Sequence, residues 1–239
     1  MPLLELRDIS KAIGGLLILN RLSFSLEAGE ALGILGPNGA GKTTTLNVIS
    51  GDVPPTSGRV LLDGQDITAL PAHRRSRLGI GRTYQIPRPF VGMSVYENVL
   101  VGAMYGHKPV GKREAAAVCR EVLELTGLLD KRDVLAGKLR LLDRKRLELA
   151  RALATRPRLL LLDEVGGGLT EPEVQELLKI IAAIRRRGVT LIWIEHIVHA
   201  LASAVDRVLA MNFGSKLAEG LPREVLASQA FQEIYLGVE

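Results

Sequence analysis

One cysteine, Cys119, stands among 239 residues, so no disulfide can close within the chain. It falls on an expected helix and reads as a small buried apolar residue. Aromatic residues make up only 4%. Packing therefore falls to Leu, Ala, Ile and Val, as in a parallel sheet covered by helices. No apolar run approaches the ~20 residues that a bilayer-spanning helix needs. The opening Met-Pro-Leu-Leu-Glu-Leu-Arg-Asp sets acid and base where a signal peptide would be continuously apolar. Internal repeats, low-complexity tracts and sustained heptads are lacking too. Together these absences exclude a disulfide scaffold, a spanning helix and a long coiled coil, and they predict a soluble, intracellular chain. The formal net charge is +5, with bases gathered in Arg74-Arg75-Ser76-Arg77, Arg144-Lys145-Arg146 and Arg185-Arg186-Arg187. Such clusters are expected as solvated helix faces. No aromatic platform lies among them, which argues against a nucleic-acid partner.

What is present is organised around residues 31–44, Ala-Leu-Gly-Ile-Leu-Gly-Pro-Asn-Gly-Ala-Gly-Lys-Thr-Thr. Ala31 to Leu35 is an apolar run fit for a buried parallel strand, and Lys42-Thr43 open a helix. Gly36, Gly41, Lys42 and Thr43 fill every fixed position of the phosphate-loop pattern. Glycines let consecutive N–H groups turn around a polyphosphate, and the helix N-terminus adds its positive dipole end. The nucleotide-binding residues expected are Gly36, Pro37, Asn38, Gly39, Ala40, Gly41, Lys42, Thr43 and Thr44. Lys42 would reach the β and γ phosphates, and the Thr43 hydroxyl would ligate Mg²⁺.

Length and a 47% apolar content suit one large α/β domain, or a domain with a sizeable insertion. Leu3 to Ile9 and Leu22 to Leu26 alternate as strands about a turn at Gly14-Gly15. Arg59 to Leu62 adds a strand between Pro54–Gly58 and Asp63-Gly64, giving a small antiparallel sheet beside the nucleotide-binding core. Lys112 to Leu129 and Arg144 to Thr155 read as helices. In the second, Leu149, Ala150, Leu153 and Ala154 share one face and the bases lie on the other. Residues from about 86 to 155 therefore read as a helical insertion into a core formed by 1–85 and 156–239. Leu159 to Leu162 and Val189 to Ile194 are buried strands flanking a helix from about Pro172 to Arg187. A hairpin, Arg207–Met211 with Lys216–Glu219, closes the fold.

Asp163 ends an apolar strand, the usual place for a ligand-binding group in an open α/β sheet. With Thr43 it would hold Mg²⁺, through water. Glu164 beside it would polarise the attacking water. His196, ending the next strand, is a candidate γ-phosphate contact. His199 lies three residues on, but no third ligand supports a metal pair, and it reads as an ordinary helix residue. Gln85 is a candidate Mg²⁺ or water contact. A GTPase switch would carry an Asn-Lys-x-Asp segment, and the sequence has none.

Gly36 to Thr43, Gln85, Leu159 to Glu164 and His196 resemble, in order and spacing, the ATP-binding subunits of ABC transporters. Arg-Thr-Tyr-Gln, Arg-Leu-Glu-Leu-Ala-Arg-Ala-Leu-Ala-Thr, Ile-Glu-His, Phe-Gly-Ser-Lys-Leu-Ala-Glu-Gly and Ile-Tyr-Leu-Gly-Val-Glu are most similar to the branch serving branched-chain (hydrophobic) amino acid importers. The resemblance implies a P-loop NTPase (RecA-like) α/β core with a small antiparallel β subdomain and an inserted α-helical subdomain. It implies ATP and Mg²⁺ as cofactors, and two subunits sandwiching two ATP molecules. It also implies membrane permeases engaged through a groove near Gln85, and a periplasmic binding protein as an indirect partner. The place implied is peripheral, on the cytoplasmic face of the inner membrane. An ABC ATPase for another small-molecule substrate, or a non-transport ABC ATPase, stays open as an alternative. Repair members of the family carry long coiled coils, and translation members carry two cassettes in one chain.

Departures from the family pattern matter. Leu139-Arg140-Leu141-Leu142-Asp143 stands where the signature Leu-Ser-Gly-Gly-Gln is expected. Arg140 replaces a small hydroxyl, Leu142 a glycine, and Asp143 adds a negative charge where a phosphate should approach. These changes imply an asymmetric heterodimer with a partner of intact signature, a homodimer being the alternative. Ile13 occupies the place of the aromatic residue that stacks on adenine, where it can pack without stacking. Val165 replaces a proline, and Thr170 stands where Asp or Asn is frequent. Ile86, Pro87, Phe90 and Met93 put apolar side chains in the loop after Gln85, as a permease groove would need.

Overall fold

The computed structural model describes residues 1–236. Two compact units make up the chain: Met1–Arg75 with the chain from Thr190 onward, and Ser76–Val189. In the first unit β1 (Leu4–Ile13) and β2 (Leu16–Leu26) form an antiparallel hairpin across Gly14-Gly15. After β3 (Ala31–Leu35) and α1 (Lys42–Ser50), β4 (Ser57–Leu62) and β5 (Gln65–Asp66) complete a sheet of order β2-β1-β4-β5. Leu4 and Leu6 are buried at alternate positions of β1, and Ile9 is buried after an irregularity at Asp8, which takes φ 49°. Each such burial contributes about 1.5–3 kcal/mol.

α2 (Ala72–Arg77) corrects one expectation. Arg75 does not lie on a solvated face but is 1% exposed. Its guanidinium donates to the carbonyls of Val48, Ile49, Thr68 and Leu70 at 2.6–2.9 Å. The fork of donors matches this converging set of acceptors, so a charge is buried fully hydrogen-bonded. Burial pulls its pKa down to about 10, against the pull of Asp52, so it stays protonated at neutral pH.

The second unit holds β6 (Ile80–Arg82), α3 (Val95–Tyr105), α4 (Lys112–Leu125), α5 (Leu141–Ala154), β7 (Leu159–Asp163) and α6 (Glu171–Arg185). β6 and β7 pair in parallel, and α3 packs on α4 and α5. The three helices of the expected 86–155 insertion thus form part of a larger unit. α4 ends four residues before the expected Leu129, where Gly127 takes φ 67°. α3 begins with a capping box: Ser94 Oγ accepts from Glu97 N, and Glu97 accepts from Ser94 N. Thr170 has a local role at the start of α6, where its N–H and hydroxyl both donate to Glu173.

α5 starts at Leu141, not at Arg144, so the altered signature forms the cap and first turn of a helix. Two of its charges are corrected. Asp143 is 6% exposed and turned inward, paired with Lys131 at 2.5 Å and Arg146 at 3.8 Å. Its charge is met within the unit by these two cations. Lys145, expected on the solvated face, is 4% exposed.

The chain then returns to the first unit through β8 (Thr190–Ile194), α7 (Val198–Ala204), β9 (Arg207–Asn212), β10 (Ser215–Gly220), α8 (Pro222–Ala227) and α9 (Gln229–Leu236). β3 lies parallel to β8 and β9, and β10 runs antiparallel to β9. Every residue of β3 and β8 is buried, as continuous apolar runs in a parallel sheet require. His199 sits on α7. Gly237, Val238 and Glu239 of the family-like last segment lie outside the described residues. Among the described residues no helix is long and apolar enough to cross a membrane.

Candidate functional site

β3 delivers the chain into the phosphate loop. Gly36 is buried, the crest Asn38-Gly39 is exposed, and Lys42 is covered beneath it. A Cβ on Gly36 would stand 2.4 Å from the Met211 carbonyl oxygen, so only glycine fits there. Gly41 takes φ 93°, and its own Cβ would meet Ile18 O at 2.8 Å and Leu19 Cδ2 at 2.7 Å. Four of the loop's carbonyls, those of Gly36, Pro37, Ala40 and Gly41, are taken up by protein donors. Lys42 Nζ donates to Gly36 O at 2.6 Å and Pro37 O at 3.0 Å. Gly214 N donates to Ala40 O, and Thr45 donates to Gly41 O through both its N–H and its hydroxyl. A loop that turns its C=O groups inward offers N–H groups to a ligand. α1 adds to this, with Gly41 as a cap lacking a side chain and no acidic residue in its first turn. An anion is the ligand such a loop suits. Thr43 is exposed and Thr44 half-buried on that turn.

At the same end of this sheet, paired through Ile34 and Ile194, β8 runs out into Glu195 and His196. His196 is exposed, and its N–H donates to Glu195 Oε1 at 3.0 Å. Ile13 ends β1 with 54% exposure, beside the exposed Leu16 and Leu17.

In the second unit β7 delivers Asp163 and Glu164. Asp163 is 2% exposed and paired with Arg82 of the neighbouring β6 at 3.3 Å. The Arg82 guanidinium lies 4.8 Å from the Tyr84 ring centroid. Glu164 takes φ 47°, a left-handed conformation costly for a residue with a Cβ. Its carbonyl accepts from Lys145 Nζ at 3.1 Å and from Gly167 N at 3.1 Å. Its carboxylate accepts from Gln85 Nε2 at 2.5 Å. The same Lys145 ammonium donates to Gln85 O at 3.0 Å. The structure therefore brings Gln85 and Glu164 together and adds Arg82 and Lys145, neither of which stood out in the sequence.

α5 grips the following loop with two more charges. Glu148 Oε2 accepts from Arg88 N and from Arg151, while Arg151 donates to Arg88 O at 2.7 Å and lies 4.6 Å from the Phe90 ring centroid. Asn98, fully buried, holds Phe90 through its N–H and C=O. Side chains of that loop point out: Ile86 is 72% exposed, Val91 63%, Phe90 45% and Met93 38%. At the α5 N-terminus Arg140 is exposed.

Thr43, Gln85 and Asp163 offer hydroxyl, amide and carboxylate oxygen. Among the described residues no group of three or more His, Cys, Asp or Glu is placed to hold a metal by itself. Hard oxygen donors of each of these kinds suit Mg²⁺.

The sequence profile of the ABC transporter family matches residues 19–166. The high-affinity branched-chain amino acid transport ATP-binding protein BraF of Pseudomonas aeruginosa is 36% identical across 99% of this chain and 98% of its own length. The lipopolysaccharide export system ATP-binding protein LptB of Escherichia coli is 33% identical over the same shares. The crystal structure of the ADP conformation of MJ1267, an ATP-binding cassette of an ABC transporter, matches at TM-score 0.89 and 30% identity over the whole of both chains.

Proposed function

The chain belongs to the ABC transporter family, and we propose that its ATPase powers import of branched-chain or other hydrophobic amino acids through membrane permeases. It is an ATP-binding subunit and an ABC-type ATPase with a P-loop NTPase fold. Support for the substrate comes from BraF and its counterpart LivG of Escherichia coli, 36% and 35% identical, against 33% for LptB.

The observation that carries the site reading is the phosphate loop with its carbonyls bound inward and Lys42 beneath its crest. Gly36 to Thr44 cradle the polyphosphate, and Ile13 packs on the base. Lys42 exchanges the Gly36 and Pro37 carbonyls for phosphate oxygens. Thr43, Asp163 (through water) and Gln85 hold Mg²⁺, which when bound neutralises charge on the β and γ phosphates. Glu164 accepts the proton of the attacking water, and His196 contacts the γ-phosphate. The exposed apolar loop 86–93 docks the permeases, so the chain works peripherally at the cytoplasmic face of the membrane. The altered signature supports an asymmetric pair with a second ATPase subunit. Leu142 carries a branched side chain where a glycine would let backbone approach phosphate. The whole chain forms one ABC ATP-binding domain.

Proteoliposomes holding this chain, its second ATPase subunit and its permeases test the reading, with labelled leucine and a binding protein outside. ATP-dependent leucine uptake, lost in Lys42→Ala, is expected. Stimulated ATPase activity without uptake of any branched-chain amino acid would overturn the substrate assignment.

A further inference from the structure

Tyr235 lies on α9, 199 residues from Gly36 along the chain, yet its hydroxyl meets both polar groups of that residue. It donates to Gly36 O at 3.2 Å and accepts from Gly36 N at 3.4 Å. The ring is set by stacking on the buried Phe231, with centroids 4.6 Å apart and planes at 15°. α9 in turn rests on β10 and α8. Nothing in the nucleotide-binding motif requires a phenol here.

We propose that Tyr235 is a positioning residue of the phosphate loop, holding the Gly36 carbonyl while Lys42 serves the nucleotide. This rests on the phosphate-loop reading above. As described, Gly36 O accepts from two donors, Lys42 Nζ and the Tyr235 hydroxyl. An ammonium drawn to a phosphate gives up its carbonyls. Gly36 is buried against Met211, so its oxygen then has the phenol as its remaining side-chain donor. A buried acceptor left without a partner is costly. The hydroxyl therefore matters more with ATP bound than without it, and α9 favours the nucleotide-bound loop while touching no phosphate.

Tyr235→Phe removes the hydroxyl and keeps the stacked ring. Titration calorimetry of the full chain with Mg·ATP should give about five- to tenfold weaker binding, with a fall in nucleotide-free Tm set by the Gly36 N–H bond that is also lost. In a Lys42→Met background Gly36 O has lost its ammonium already, so Tyr235→Phe should there lower the nucleotide-free Tm by more than in the parent. Parental ATP affinity in Tyr235→Phe, or equal Tm losses in the two backgrounds, would overturn the proposal. Lys42→Ala is run beside it: undiminished ATP binding in that variant would instead overturn the phosphate-loop reading.

Discussion

The Gln85 amide nitrogen lies 2.5 Å from Glu164 Oε2, and the main-chain carbonyls of both residues accept from one buried ammonium, that of Lys145. The carboxylate proposed as base is thus held by side chain and backbone alike. Geometry of this kind separates chemistry from binding.

Glu164→Gln keeps the size of the side chain and can still accept from the Gln85 amide, but it cannot take a proton. ATP affinity should be retained while turnover with the second subunit falls by about a hundredfold or more. Steady-state ATPase assays beside a calorimetric titration check this. Turnover at the parental rate would remove Glu164 from the role.

Lys145→Met takes the shared donor from the part-buried carbonyls of Gln85 and Glu164, the second of which keeps Gly167 N, at a cost of about 1–3 kcal/mol. Relief from burying a charge offsets part of that. Turnover should drop more than ATP affinity, because Glu164 is then free to leave its left-handed conformation. Lys145→Arg should restore part of the rate. A rate and a Tm both unchanged in Lys145→Met would show that the ammonium positions nothing.

Phe90→Asp tests docking against packing. The loop's main chain is anchored by Asn98 and by Arg151, while its side chains are exposed. An aspartate there can still pair with Arg151, so the isolated subunit should lose little stability, within about 1 kcal/mol. Permease binding should be lost. A large fall in Tm with docking intact would assign Phe90 to packing instead.

Arg140→Ala probes the altered signature. Asp143 is paired to Lys131 and Arg146; on the asymmetric-pair proposal Leu142 then opposes phosphate approach and Arg140 favours it. In an asymmetric pair the ATP facing this signature contributes little turnover, so the variant should keep most of the ATPase activity. Loss of most activity would make Arg140 an arginine-finger-like contact.

Glu148 gives a pH signature. Burial raises its carboxyl above the ordinary 4.5, more than Arg151 and the Arg88 N–H lower it. The folded chain then holds this proton to higher pH than the unfolded chain does. Its contribution to stability is fully present below 4.5 and is lost as pH rises through the raised value. Glu148→Gln should flatten that part of a Tm-against-pH curve measured from about pH 4 to pH 8.

How far the sequence could be read depended on how local each signal was. The phosphate loop is legible because strand, glycines and helix start are contiguous. β3, β7 and β8 are legible as unbroken apolar runs. α3 carried its own start signal, Ser94 with Glu97 three residues on, in a stretch without marked periodicity. Arg75 and Lys145 could not be read, because a charge run looks the same whether water or carbonyl oxygens receive it. Some of their acceptors lie far away: Val48 is 27 residues from Arg75, and Gln85 is 60 from Lys145. Asp143 misled for the same reason, since its partner Lys131 sits beyond the helix it starts. Tyr235 belonged to a family-like stretch whose text gives no hint of the loop it touches.

The four carbonyls gathered by Arg75 bear on how fast nucleotide arrives. Two of them, Val48 and Ile49, belong to the last turn of α1, whose first residue is Lys42. A helix of nine residues is marginal by itself, yet this one is fastened at the end remote from its ligand. Its amides should therefore resist hydrogen exchange before any nucleotide is present. ATP then meets a cradle already ordered, and its association should follow diffusional encounter rather than wait for a helix to form.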